Sequence, residues 1–149
     1  MGWQSYVGKV IRQGSIAMSL PITALYAGLK GLWLVGLGFV VIRQRRRHDV
    51  SIGDGGVDAL AQAVRAHGNA CEYVPIALIL LGLAEGMGAS GGVLHGFGSL
   101  LVAGRLLHGG YFLTGARVMK ARVLGMVLTF VVIAGLSVRL LVYGLAGMG

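Results

Sequence analysis

Four apolar segments, each close to the length of a membrane-spanning helix, constrain this chain more than any other feature. They cover residues 20–42, 69–87, 93–113 and 123–145. A helix needs about 20 mainly apolar residues to cross the hydrocarbon core of a bilayer. Because the segments use most of the 149 residues, little chain is left for a separate soluble domain. The sequence therefore predicts an all-α fold, an integral membrane four-helix bundle.

The composition supports a membrane protein and argues against a nucleic-acid-binding one. Hydrophobic residues make up 56% of the chain and charged residues only 12%, about half the charged share of an average soluble domain. The net charge of +8 arises from cations that cluster at the ends of the apolar segments without interleaved aromatic residues. We therefore expect membrane lipids, and no nucleic acid, as partners.

The positions of these cations predict the orientation of the bundle. Four arginines follow the first segment, and the connection between the third and fourth segments carries three further cations: Arg117, Lys120 and Arg122. By the positive-inside rule, loops 43–64 and 114–121 are cytoplasmic and both termini lie outside. Residues 1–17 are predicted to be an N-terminal extension ahead of a transmembrane domain at 18–149, with an interfacial segment as one interpretation of the extension. Met18 is an alternative natural start.

Helix boundaries and packing can also be predicted in part. Pro21 suits the first turn of the first helix, and the glycine-rich stretch 53–56 ends helical structure before Asp58, a plausible N-cap of the second helix. The glycines of the first segment, at positions 28, 31, 36 and 38, favour close helix packing. The single cysteine, Cys71, is expected to be a small buried residue.

The second segment begins with the sequence RAHGNACEYVP at residues 65–75, which places polar side chains on one helical face. At about 100° per residue, Arg65, Asn69 and Glu72 fall within about 60° of one another. A charge in hydrocarbon costs at least about 2.5 kcal/mol, so polar groups in such segments tend to be functional. This face is the first candidate for a binding site.

Cations of the third and fourth segments are predicted to converge on that face. Arg105 and His108 lie toward the cytoplasmic end of the third segment, and Arg122 opens the fourth. Three arginines against one glutamate suit a small anion with several carboxylates, such as a glutathione-like peptide, whose amine Glu72 could hold. Arg122 at a helix start could stabilise the thiolate and is the candidate catalytic residue. Alternatively, these arginines bind lipid headgroups, or the polar face only fixes helix packing.

One further question is left open by the sequence, and one further site is not predicted. Lys30, near the middle of the first segment, either snorkels outward or pairs with a carboxylate in the bundle, with Glu72 as a possible partner and Glu85 as a less favoured one. The histidines at positions 67, 95 and 108 are separated in depth, so no metal site is predicted.

Three motifs of the chain resemble those of the MAPEG family, the membrane-associated proteins in eicosanoid and glutathione metabolism. They are RAHGNACEYVP at 65–75, GRLLH at 104–108 and ARVLGM at 121–126. The resemblance extends from about residue 18 to the C-terminus and is to the bacterial branch, which implies an inner-membrane location. It also implies a homotrimer with glutathione bound between neighbouring subunits. In that family, residues matching a set in this chain contact glutathione or its thiolate: Arg65, Asn69, Glu72, Tyr73, Arg105 and Arg122.

The resemblance leaves two functions open. One is a glutathione transferase or peroxidase that acts on lipophilic electrophiles from the bilayer, with glutathione as a substrate. The other is a non-catalytic lipid-binding or structural protein, since family enzymes use tyrosines on the third helix where His108 and Phe112 stand here, and Tyr111 is one residue out of phase. His108 is included in the predicted glutathione-binding set.

Overall fold

Four long helices in succession form the structure, a computed structural model that describes residues 19–114 and 119–148, with only the backbone described at 111–114. We number them in chain order: α1 (Pro21–His48), α2 (Asp58–Gly86), α3 (Gly91–Thr114) and α4 (Met119–Ala146). The described residues contain no strand. The predicted all-α bundle is therefore confirmed, whereas the predicted N-terminal extension, residues 1–17, lies outside the described residues.

The surface of the bundle is that of a membrane protein. Three helices, α1, α2 and α4, are long and apolar enough to cross a membrane, while α3 is not among them. Large apolar side chains face outward, among them Leu32, Phe39 and Leu141 with 75%, 66% and 65% of their surface exposed. A soluble monomer rarely exposes apolar residues in contiguous patches of this extent. The chain is an integral membrane protein.

Local chemistry explains where α1 ends and α2 begins. Pro21 lies in the first turn of α1, as predicted. At the other end, the backbone N–H of Asp49, a residue in the left-handed conformation with φ 53°, donates to the Arg45 carbonyl. The prediction that Asp58 caps α2 is wrong: the helix begins at Asp58, and Val57 is the N-cap. A turn in which Val57 N–H donates to the Asp54 carbonyl positions this start.

A carboxylate joins the end of α2 to the start of α1. Glu85 accepts hydrogen bonds from the backbone N–H groups of Ile22 at 2.9 Å and Thr23 at 2.7 Å. These donors have no partner within α1, because the first N–H groups of a helix lack one, and a negative charge there also complements the helix dipole. After Glu85 the chain reverses at Gly88, where φ is +79°, and enters α3.

Close helix packing occurs at glycines of α3 and α4, and not at those predicted on α1. Gly104 and Gly125 lie face to face, so that a Cβ atom on Gly125 would collide with the Gly104 carbonyl and with the backbone nitrogen of His108. By contrast, nothing lies within 4 Å of a Cβ placed at positions 28, 31 and 36 within the described chain. The α3–α4 contact fixes the positions of the polar residues described next.

Candidate functional site

The polar face predicted on α2 is divided between the surface and the interior. Arg65 and Glu72 are exposed, whereas Asn69 between them is half-buried. One wall of the predicted site therefore faces outward from the single chain. Only its middle residue reaches the residues of α3.

Asn69 and Arg105 form the central contact between α2 and α3. The Arg105 Nη2 group donates a hydrogen bond of 2.6 Å to Asn69 Oδ1. Arg105 is only 1% exposed, and its Nε and Nη1 groups are buried without a hydrogen-bond partner. A buried guanidinium with unused donors is costly unless something accepts from them. This side chain is therefore ready to bind an acceptor that the described residues do not supply.

Tyr73 extends the cluster toward α4. Its half-buried ring meets Phe130 edge to face, with ring centroids 5.5 Å apart and an interplanar angle of 68°. Tyr73 also lies close enough to Arg105 for an electrostatic interaction. The aromatic contact holds the middle of α4 against the polar part of α2.

His108 and Arg122 connect α3 with α4. His108 is buried, and its Nδ1 lies 3.2 Å from the backbone carbonyl oxygen of Arg122. Because a carbonyl oxygen can only accept, Nδ1 carries the proton and donates. Arg122, half-buried, is the fourth residue of α4, since the helix begins at Met119 rather than at Arg122 as predicted.

Lys30 joins this cluster in a way that the sequence did not predict. It is 3% exposed, so it does not snorkel outward. It also has no carboxylate partner in the described chain, because Glu72 is exposed and Glu85 binds the start of α1. Its ammonium lies close enough to the Arg105 guanidinium for the like charges to repel. Neither alternative drawn from the sequence is therefore observed.

Cys71 is exposed, and the prediction of a small buried residue is wrong. Its Sγ atom lies 3.7 Å from Nδ1 of His67, one turn earlier on α2. The prediction failed because the surface of this bundle is as apolar as its interior, so an apolar residue type does not indicate burial. The side chains of Tyr111 and Phe112, which bear on the missing family tyrosines, are outside the described part of the chain.

The candidate site has two parts, one inside the bundle and one on its surface. An interior cluster unites Lys30 with four predicted residues, Asn69, Tyr73, Arg105 and His108, and His108 binds the backbone of Arg122. An outer face of α2 carries Arg65 and Glu72. The interior part is strongly cationic, and such a cluster favours an anionic ligand.

Comparison with known proteins agrees with this architecture. The chain is 46% identical over 87 residues to "Inner membrane protein YecN" of Escherichia coli strain K12, and equally to the protein of that name from Escherichia coli O6:H1 strain CFT073. Each match covers 58% of this chain and 66% of the relative, just under two thirds of its length. No solved structure matches the chain.

The family match covers far more of the sequence. A sequence model of the MAPEG family matches residues 23–142, which include nearly all of the four helices and every residue of the two-part site. The motifs on α2, α3 and α4 thus fall within one continuous match. The chain belongs to the MAPEG family.

Proposed function

We propose that this protein binds glutathione in the membrane and directs its thiolate at lipophilic electrophiles, as a glutathione transferase or peroxidase. The observation that carries the proposal is the 2.6 Å hydrogen bond between Arg105 and Asn69. It aligns a buried cation on α3 with the polar face of α2. Membership of a family associated with glutathione gives this cationic site a matching ligand.

The charges of the site complement those of glutathione. Its two carboxylates suit Arg65 and Arg105, and its ammonium group suits Glu72, since ionised hydrogen bonds are the strongest polar contacts available. Its thiol would lie toward Arg122, where a cation in the first turn of a helix stabilises the thiolate, the nucleophilic form. Tyr73 and His108 complete the wall around the peptide.

The outer face of α2 supports a homotrimer with sites between subunits. Its exposed and half-buried residues recur at alternating intervals of four and three: Arg65, Asn69, Glu72, Ile76, Ile79 and Leu83. That spacing is the signature of a helix seam that packs against another helix. A neighbouring copy on this seam would place Arg65 and Glu72 against a second subunit, so that each ligand contacts two chains.

The location proposed for this assembly is a bacterial inner membrane. The related Escherichia coli proteins carry that location in their names. The predicted loops 43–64 and 114–121 are shorter in the structure, because α1 continues to His48, α2 begins at Asp58, α3 reaches Thr114 and α4 begins by Met119. The cationic helix ends and connections in these two regions would face the cytoplasm, where glutathione is available, and both termini the other side.

A second candidate is a non-catalytic lipid-binding role, which one feature favours. A groove of about 400 Å³ lies between α1 and α3 on the lipid side, with Leu25, Leu29 and Leu106 among its lining residues. Its walls are mainly apolar, and Tyr26 and Ser99 supply hydroxyl groups. Such a groove suits a lipid-like ligand whether or not catalysis follows.

Titration of detergent-solubilised protein with glutathione tests the main proposal. We expect calorimetric binding, together with conjugation of glutathione to a generic chloronitroaromatic electrophile. The variant Arg122→Ala should retain binding but lose about tenfold to a hundredfold in turnover, because the thiolate loses its stabilising cation. Stabilisation by lipids without any binding of glutathione would favour the second candidate instead.

The trimer seam can be tested separately. Ile79, which is 57% exposed, should pack against its neighbours, so Ile79→Trp is expected to overfill the seam and shift the assembly toward monomers. Native mass spectrometry in detergent measures the distribution. Leu141→Trp on α4 is the matched control, since that side chain is 65% exposed and outside the seam. Equal trimer content in both variants would contradict the seam.

A further inference from the structure

The interior of the bundle holds two cations that the chain does not neutralise. Lys30 on α1 is 3% exposed and Arg105 on α3 is 1% exposed. The two groups lie close enough to repel each other. Isolated charges are expensive to bury, and repulsion between like charges adds to that cost. These two buried cations therefore lack, in the described chain, the negative charge that would stabilise them.

The same region contains more hydrogen-bond donors than acceptors. Arg105 has unused N–H groups on Nε and Nη1. Trp33, one turn after Lys30, packs its ring against Gly109 of α3, and its indole Nε1 is likewise buried without a partner. Indole and guanidinium groups can only donate. These donors consequently lack a hydrogen-bond acceptor among the described residues, and the nearby cations require that acceptor to be negatively charged.

No acidic residue of the chain can supply that acceptor. The sequence contains five. Three lie around the loop between α1 and α2 and are exposed, namely Asp49, Asp54 and Asp58. Glu72 is exposed on α2, and both oxygens of Glu85 accept from the start of α1. The negative charge must therefore come from another molecule.

We infer that Lys30 and Arg105 form the interior site for a carboxylate carried by a ligand, with the buried Nε1 of the half-buried Trp33 as an additional donor. A carboxylate offers two oxygens with about four lone-pair positions, which suits several donors converging from α1 and α3. The site shares Arg105 with the proposed function and rests on it to that extent, but it adds Lys30 and needs neither Arg65 nor Glu72.

Two sources can bring a carboxylate to this depth. One is the bilayer, because the groove between α1 and α3 is lined by Leu29 and Leu106, the sequence neighbours of Lys30 and Arg105. An amphiphile with its chain in that groove would have its head group near the two cations. The other source is water-soluble glutathione, which would reach the site from the Asn69 side of Arg105.

Thermal unfolding of the full-length protein in detergent tests the inference, with sulfate as the only added inorganic anion. Decanoate, decanol and glutathione are the probes. At about ten times its dissociation constant, a bound carboxylate should raise the Tm by about 3–5 °C. We expect this shift with decanoate, glutathione or both, and none with decanol.

The informative variant is Lys30→Met, which keeps the length of the side chain and removes its charge. It should abolish the carboxylate shift, and without a probe its Tm should equal or exceed that of the original protein, because a buried charge has been removed. Lys120→Met, an exposed cation at the start of α4, should leave the shift intact. A shift with decanoate alone assigns the carboxylate to a membrane amphiphile, and a shift with glutathione that survives Glu72→Gln assigns it to the peptide.

Three results would overturn the inference. The first is a carboxylate shift of equal size in Lys30→Met. The second is an equal shift with decanol, which would show a purely apolar effect. The third is a large loss of Tm in Lys30→Met without any probe, which would show that the chain itself satisfies Lys30.

Discussion

Replacing Glu72 by glutamine is expected to weaken glutathione binding about tenfold, the loss that corresponds to about 1.4 kcal/mol. Glu72 is one of only two glutamates in the chain and the one that lies with Arg65 on the outer face of α2. The substitution keeps the size of the side chain but removes the charge proposed to bind the ammonium group of the peptide. Because the side chain is exposed in the single chain, we expect a smaller loss than for a fully buried ion pair.

Glu85→Gln is the matched control for this experiment. It makes the same chemical change on the same helix, but Glu85 binds the backbone at the start of α1. It should lower the Tm and leave the affinity for glutathione unchanged. Equal affinities of Glu72→Gln and the unaltered protein, measured by calorimetry, would remove the outer face of α2 from the proposed site.

Substitution of Gly125 by valine should have the largest effect on the fold itself. A Cβ atom there would meet the backbone of Gly104 and the backbone nitrogen of His108, the latter at 2.6 Å. Backbone atoms cannot rotate away, so α3 and α4 must separate. We expect a loss of about 2–4 kcal/mol in stability, seen as a drop of about 5–15 °C in the Tm of the detergent-solubilised protein.

Gly144→Val provides the comparison for that variant. It lies on the same helix, and nothing lies within 4 Å of a Cβ placed there, so its Tm should change little. Separation of α3 from α4 at Gly125 should also break the contact of His108 with the Arg122 carbonyl and thereby reduce turnover. An unchanged Tm in Gly125→Val would contradict the tight α3–α4 contact.

Much of the fold could be predicted because the formation and the ends of a membrane helix depend mainly on the residues of that segment itself. Segment length, Pro21 and the glycine-rich stretch 53–56 correctly predicted four helices and two of their boundaries. Depth along each helix predicted that Arg105 would lie near the polar face of α2, and the specific bond to Asn69 is a finding of the structure. Family membership confirmed the resemblance carried by the three motifs.

The wrong predictions concern which face of a helix is buried, because in a membrane protein the residue type does not determine this. Lipid and protein interior are both apolar, so nothing in the sequence distinguishes the exposed Cys71 from a buried one, or the open glycines of α1 from the packed ones of α3. Lys30 was the harder case. The sequence left two alternatives open, a snorkelling lysine and one paired with a carboxylate, and the structure shows neither, because Lys30 is buried and interacts electrostatically with another cation.

The hydrogen bond from Arg105 to Asn69 also bears on how the chain enters the bilayer. An arginine near the centre of a helix costs about 2.5–3.5 kcal/mol on insertion scales, and α3 carries such a residue in Arg105, which is 1% exposed. Asn69 lies on α2, which precedes α3 and is synthesised first. The insertion of α3 is consequently expected to depend on α2 being already in place, so that the two helices cross the membrane as a hairpin.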